Sequence, residues 1–501
     1  MSKKDTNMDK LKPVMLAGTG SDVGKSVIAT GLCRIFLQDG YKPAPFKAQN
    51  MALNSFITSD GLEIGRAQAV QAEAAGLACE TDMNPILLKP SGSKTSQVVL
   101  NGKVVGNQSA YSYFRKEGRG ELREAVHQAF DRLNSKYNPI VLEGAGSIAE
   151  VNLKGIDLVN MSMAMYAGAD VILVADIDRG GVFASVYGSI MLMDEEERKH
   201  IKGILINKFR GDVRLFESGI TILEDLCKIP VLGVVPYYKD IYIEEEDSVV
   251  LQTKSMNAER GKINIVVILL KHLSNYTDFN VLERDSRVHL YYSNNTEEIE
   301  KADIILIPGS KNTISDLYEM RRNGVAQSII QAHKTGATVI GICGGYQMMG
   351  QEVCDPLHIE SDIERFPGLG LLPTTTSMGE EKVTKQTSFT FLDNPIKCKG
   401  YEIHMGTTTP IASKKSSPVN YIEDGTTDGY YINEKCFGTY IHGILDNANV
   451  IEHILAPYTD KLSEKPFDLD SFKNEQYDKL ANHLRQHINI DLLYQILKQK
   501  D

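Results

Sequence analysis

Short apolar runs, bounded by glycine, proline or polar clusters, recur along most of this chain and alternate with stretches whose hydrophobic residues are spaced as on a helix. Val14-Met15-Leu16-Ala17 leads into a glycine-rich loop, after which Val27, Ile28, Leu32, Ile35 and Phe36 share one helical face that closes at Asp39-Gly40. Further runs at Pro139 to Leu142, Val171 to Ala175, Gly203 to Ile206 and Val231 to Val235 have the length of buried strands. They are continuously apolar rather than alternating, as strands covered on both faces must be, so the pattern predicts a mostly parallel sheet sheathed by helices. Between Ile241 and Gly261 the chain turns acidic and polar, and a new strand begins at Ile263 to Leu270. A second alternating series follows: Ile304 to Ile307 ends at Pro308-Gly309-Ser310, Ala337 to Ile340 ends at Cys343, and Tyr440-Ile441-His442 closes a short strand. From Val450 onward the pattern is helical, with Leu480, Leu484, Ile488, Leu492, Leu493 and Ile496 on one amphipathic face. The expected organisation is an α/β domain over residues 1–240, a linker over 241–261, a second α/β domain over 262–449 and a docked helical tail over 450–501.

Composition narrows the setting. At 501 residues the chain is too long for one ordinary core, and 42% hydrophobic with 24% charged residues is the balance of a globular protein. No apolar segment has the length needed to cross a bilayer, and Met1 to Lys12 is polar and mixed in charge, unlike a secretory signal; the expected location is the cytoplasm. The 7 cysteines are odd in number and form no C-x-x-C pair, which argues against a disulfide framework or a zinc ribbon. A net charge of -11 argues against a nucleic-acid partner, so any anionic ligand must be held by local groups.

One such group is Gly18-Thr19-Gly20-Ser21-Asp22-Val23-Gly24-Lys25-Ser26, which follows a strand and opens a helix. In that context backbone N–H groups from Thr19 to Gly24 surround phosphate oxygens, the Lys25 ammonium neutralises them, and the Ser26 hydroxyl can ligate an accompanying magnesium ion. The first glycine stands one residue further from Lys25 than in the usual G-x-x-x-x-G-K-[ST] string, a lengthened loop that resembles the one in dethiobiotin synthetase-like ligases. Glu143, in Val141-Leu142-Glu143-Gly144, ends another strand where a carboxylate can reach the same metal. Asp176 and Asp178 end a further strand at the same edge as weaker candidates. Asn207-Lys208-Phe209-Arg210 is similar to the guanine-reading string of GTPases, but Arg210 replaces the aspartate that reads guanine; Asn207 is either a nucleotide-base contact or an ordinary strand-end asparagine.

Covalent chemistry is indicated by Cys343, in Gly341-Ile342-Cys343-Gly344-Gly345-Tyr346-Gln347. Flanking glycines permit a sharp strand-to-helix turn, and the helix that follows points its N–H groups at the sulfur and favours thiolate. A base is required nearby, and spacing alone leaves His442 and His404 equal candidates, with His358 a third histidine. The N–H groups at Gly309 and Gly344 could form an oxyanion hole.

With these residues in place the chain resembles the cobyric acid synthase family, glutamine-dependent amidotransferases of cobalamin biosynthesis. The likeness spans nearly the whole chain and rests on the Ala44 to Ser55, Asp60 to Ala69 and Met83 to Pro90 strings as well as the phosphate loop, Gly341 to Gly350 and Tyr440 to Gly443. It implies an N-terminal P-loop synthetase domain and a C-terminal domain like the class I glutamine amidotransferases. It makes Cys343 the nucleophile and His442 its base, and Lys47 and Asn50 candidate contacts for ATP or corrinoid carboxylates. Most class I enzymes carry glutamate two residues after the histidine; Ile444 stands there, so the resemblance implies a Cys343–His442 dyad whose orienting group is unidentified, and Asp446 is not assigned that duty. The implied substrates are glutamine, ATP with Mg2+ and adenosylcobyrinic acid a,c-diamide, amidated at carboxylates b, d, e and g, with no permanently bound cofactor. The rival within the same family amidates carboxylates a and c of cobyrinic acid, and the Phe46 to Ser55 string argues against it. A ParA-like P-loop switch is the rival of another class and leaves Cys343 and His442 unexplained.

Overall fold

The computed structural model describes residues 9–90, 95–109, 119–238, 240–244, 254–411, 417–459 and 468–498. Residues 245–253 of the expected linker, 460–467 and 499–501 of the expected tail, and most of the polar N-terminal segment lie outside the described residues.

Six parallel strands form the first sheet, in the order Val231–Pro236, Ile201–Phe209, Asp170–Asp176, Val14–Gly18, Ile140–Glu143 and Ala44–Phe46. Every residue of Val14–Gly18 and of Asp170–Asp176 is buried, as the unbroken apolar runs require of a sheet covered on both faces. The helix Lys25–Gln38 covers one face through Ile28, Leu32, Ile35 and Phe36. A subsidiary sheet, Gln49–Met51, Ile86–Pro90, Thr95–Leu100 and Lys103–Ser109, and the alanine-rich helix Arg66–Ala74 sit at the edge that faces the second domain.

The second sheet runs Val288–Ser293, Ile263–Ile268, Ile304–Ile307, Thr338–Ile342, Cys436–Thr439 and Tyr430–Asn433, parallel except for the last strand. Beside it lies a long antiparallel ribbon, Thr374–Phe391 paired with Lys397–Pro410, onto whose Tyr401 the short strand Ile441–His442 is registered at His442. The apolar pattern gave no sign of this ribbon. Its middle reads Gly379-Glu380-Glu381-Lys382 where the register shifts, and much of it is only half-buried, so no clean period marks it.

The tail differs from a single amphipathic helix. Leu469–His487 and Ile490–Lys498 are separate helices, because Ile488 is extended and bridges Gly233 at the edge of the first sheet. Leu480, Ala481 and Leu484 are buried against Lys25–Gln38, where Gly31 leaves room: a β-carbon there would come within 2.2 Å of Leu484 Cδ1. The chain's last helices therefore clasp the first domain although they follow the second. Leu480→Ala should cost ~2–5 kcal/mol by leaving a cavity, read as a lowered midpoint for unfolding of the first domain in urea.

Candidate active site

Two clusters of chemically active side chains lie at the carboxyl ends of the two parallel sheets, where ligands of open α/β sheets bind. The first is a cleft of about 810 Å³ lined in part by Ser21, Asp22, Gly24, Lys25, Ser26 and Glu143. Thr19 N–H donates to Val174 O at 3.0 Å and anchors the phosphate loop on the sheet. Lys25 Nζ donates to Gly20 O and Gly146 O at 3.0 and 2.9 Å. Burial, helped by the Lys47 ammonium, outweighs the Glu143 carboxylate and pulls the Lys25 pKa down to about 8.

Glu143 is 1% exposed and accepts from Ser26 Oγ at 2.8 Å, Lys47 Nζ at 2.8 Å and Gln71 Nε2 at 2.6 Å. Burial raises its pKa, but the Lys47 charge and the three hydrogen bonds together hold it below the usual carboxylate range. Ser26 Oγ and Glu143 Oε1 thus present two hard oxygens side by side, and Gln71 Oε1 nearby is buried without a protein partner. This donor set fits Mg2+, which favours oxygen ligands and shares its shell with phosphate and water. Among the described residues no group of three or more His, Cys, Asp or Glu side chains could hold a metal by itself.

Asn207 Nδ2 donates to Val23 O at 2.9 Å and closes against Gly24, whose φ of 92° and lack of a side chain admit it. In this structure Asn207 braces the phosphate loop while also lining the cleft. Asp176 pairs with Lys208 at 3.1 Å and Asp178 with Arg210 at 2.6 Å, so both carboxylates are engaged by cations from the neighbouring strand end. Asn50 lines the same cleft as Lys47 and donates through Nδ2 to Gln68 Oε1 at 3.1 Å.

The second cluster surrounds Cys343, which has φ 53° and ψ −111° at the turn between Thr338–Ile342 and Gly344–Met349. A non-glycine residue in that conformation is strained and is held there by its surroundings. Cys343 N–H donates to Thr439 O at 2.8 Å, and Gly345 packs so closely on the neighbouring strand that a β-carbon would lie 1.9 Å from Ile307 O. Gly344 abuts the backbone of Ser310, which puts the Gly309–Ser310 strand beside the thiol turn.

His442 and His404 are placed differently. His404 approaches Gly406 O and Glu402 Oε2 through its two ring nitrogens, at 3.2 and 3.3 Å, and stacks on Tyr440. His442 lies close enough to the Cys343 sulfur for their charges to interact, the thiol itself donates to Ile403 O at 3.6 Å, and His442 Nδ1 lies 2.6 Å from Asp278 Oδ2. His358 is exposed, with Nδ1 3.1 Å from Ser361 O. Asp278, on the short 3-10 turn Tyr276–Phe279, also accepts from Gly443 N–H at 3.0 Å and so fixes both the ring and the backbone that carries it. Burial alone would lower the His442 pKa; the Asp278 charge and then Cys343 overcome it and push it up to about 10.

The group that orients His442 is therefore Asp278, a residue that sequence reasoning missed. Its one visible signal is a carboxylate in Asn275-Tyr276-Thr277-Asp278-Phe279-Asn280, a string buried throughout even though Asn275, Thr277, Asp278 and Asn280 are polar. Asp446 lies near Asp278 and Tyr401, and burial pushes its pKa up to about 7.

All seven cysteines are unpaired, and among the described residues no helix is long and apolar enough to cross a membrane. A phosphate-loop cleft on one parallel sheet and a Cys–His–Asp cluster on the next define a nucleotide-dependent ligase coupled to a glutamine amidotransferase. Residues 14–249 match the model of the CobQ/CobB/MinD/ParA nucleotide binding domain, and residues 264–450 that of the CobB/CobQ-like glutamine amidotransferase domain. Cobyric acid synthase from Bacteroides fragilis is 70% identical over 98% of this chain and 99% of its own length. The cobyric acid synthases of Phocaeicola vulgatus and Parabacteroides distasonis are 66% and 58% identical, covering 98% and 97% of this chain and 99% of their own. The chain belongs to the cobyric acid synthase family.

Asp278→Asn keeps the shape of the site and removes the charge that holds the imidazolium. Because the His442 pKa is raised from 6.5 to about 10, the stability from this pairing is fully present below pH 6.5 and is lost as pH rises through about 10. The drop in thermal midpoint caused by Asp278→Asn should accordingly be largest near the acid end of that window and fade toward its alkaline end, as measured by calorimetry across the window.

Proposed function

We propose that this chain uses glutamine and ATP to amidate carboxylates b, d, e and g of adenosylcobyrinic acid a,c-diamide. The observation that carries this reading is the pairing of a Cys343–His442–Asp278 cluster with a phosphate-loop cleft in one chain. The family relationship supplies the corrinoid.

At the second domain the Cys343 sulfur attacks the side-chain amide carbon of glutamine, forming a C–S bond. N–H groups at Gly309 and Gly344 would face the developing oxyanion. His442, held by Asp278, passes a proton to the departing nitrogen, and the C–N bond breaks to release ammonia. Water then hydrolyses the glutamyl thioester, yielding glutamate and restoring the thiol. At the first domain a corrinoid carboxylate oxygen takes the γ-phosphoryl group of ATP, releasing ADP. Lys25 would balance the charge on the phosphates, and Lys47 and Asn50, which line the cleft, would contact ATP or the corrinoid carboxylate. Ammonia attacks the acyl phosphate carbon, the C–O bond to phosphate breaks, and the products are amide and inorganic phosphate. Ser26 and Glu143 would hold Mg2+, whose charge neutralises the phosphates during transfer.

Both reactions are needed, and they separate by mutation. Cys343→Ser should abolish glutamine-driven amidation while ammonia-driven amidation continues. Glu143→Gln should lose amidation by at least about tenfold with either nitrogen source, since it acts at phosphoryl transfer, while glutamate release persists. Mass spectrometry of the corrinoid products with glutamine or ammonium as nitrogen source measures both; efficient amidation of cobyrinic acid at a and c instead would overturn the substrate assignment.

A further inference from the structure

Asn275 links the catalytic base of the second domain to the first domain. Asn275, 3% exposed and in the left-handed conformation at φ 52° and ψ 42°, precedes the turn that carries Asp278. Its backbone carbonyl accepts from Asp278 N–H at 3.1 Å. Its side-chain Oδ1 accepts from the backbone N–H of Ser55, in the first domain, at 3.1 Å. A backbone N–H can only donate, so that contact fixes which end of the amide is oxygen and turns Nδ2 toward His442, 3.4 Å from Nε2. The neighbouring contacts run the same way: Tyr276 N–H donates to Asn54 Oδ1 at 3.3 Å, and Tyr401, stacked on the His442 ring, donates to Ser55 O at 3.5 Å. Asn54 and Ser55 lie a few residues after Lys47, Asn50 and Met51, which line the phosphate-loop cleft.

We propose that Asn275 is a cross-domain positioning residue: its amide, oriented by Ser55, holds a donor against Nε2 of His442, so that the base is set by the segment that lines the synthetase cleft. This rests on the function proposed above. With Nδ1 on Asp278, an N–H facing Nε2 is accommodated only while that nitrogen is an acceptor, so Asn275 favours the neutral ring and opposes the protonation that Asp278 promotes. The charged or titratable groups near the imidazole are Asp278, Cys343 and the Tyr401 ring, with Asp446 close to Asp278, and the Asn275 amide, like the Tyr401 hydroxyl, is tied to Ser55 of the first domain.

Two substitutions test this. Asn275→Asp keeps an acceptor for Ser55 N–H but replaces the donor at Nε2 by a carboxylate oxygen. The apparent pKa in the pH profile of glutamate release should rise by about one unit, with glutamine-driven kcat down about tenfold and KM for glutamine little changed. Asn275→Ala removes both contacts and should release more glutamate per amide formed than the wild-type enzyme. Ammonia-driven amidation, which bypasses His442, is the control for folding. A wild-type pH profile in Asn275→Asp together with a wild-type glutamate-to-amide ratio in Asn275→Ala overturns the proposal, and so does loss of ammonia-driven turnover in both variants. Should the wild-type enzyme release glutamate yet amidate no corrinoid, the function above fails, whereas the pH profile of glutamate release still decides the role of Asn275.

Discussion

A buried imidazole keeps its proton only where a carboxylate faces it, and the pairing of Asp278 with His442 meets that condition at the boundary between the two domains. Much of the second domain's arrangement serves this contact. The turn that carries Asp278 is held by Asn275 and, through it, by Ser55 of the first domain. Ile441–His442 is held by its register with Tyr401 on the antiparallel ribbon. The glycines around Cys343 then bring the thiol turn hard against Ile307 and Ser310. Removing the carboxylate would leave the ring buried and unpaired, and the neutral form would win.

The first domain solves the same problem with opposite charges. Glu143 is buried and would be costly as an anion, but Lys47, Ser26 and Gln71 all converge on it. This keeps a carboxylate ionised at the cleft floor next to the phosphate loop. A similar economy appears where the domains meet: Glu63 is fully enclosed and bound by Lys89 of its own domain and by Lys382 of the ribbon. Burial raises its pKa, yet the two ammonium groups hold it well below the usual carboxylate range. The ribbon that the apolar pattern did not reveal thus contributes a cation to the domain contact as well as a register for His442.

Legibility in the sequence followed physical locality. Val14–Gly18, Asp170–Asp176 and Ile304–Ile307 were visible because strands covered on both faces need unbroken apolar runs. The two final helices merged into one face because Ile488 continues the apolar spacing, and only its bridge to Gly233 shows that the helix has ended. Thr374–Phe391 escaped notice because its side chains answer to neighbours on the ribbon rather than to one core. In the synthetase cleft, Lys25 and Ser26 were legible from the loop itself, while the bracing of that loop by Asn207 depended on how closely Gly24 lets another strand approach.

By itself the sequence determined the features that the backbone enforces over a few residues: the phosphate loop between strand and helix, the glycine turn that displays Cys343, and the succession of two parallel sheets. These demand particular residue types wherever they occur, so they can be read without the fold. The tertiary structure alone decided which carboxylate serves His442 and which residues link that base to the other domain. Asp278 and Asn275 reach His442, and Ser55 reaches Asn275, across long stretches of chain. A hydrogen bond depends on a few ångströms of space and on donor direction, and neither is encoded in sequence separation.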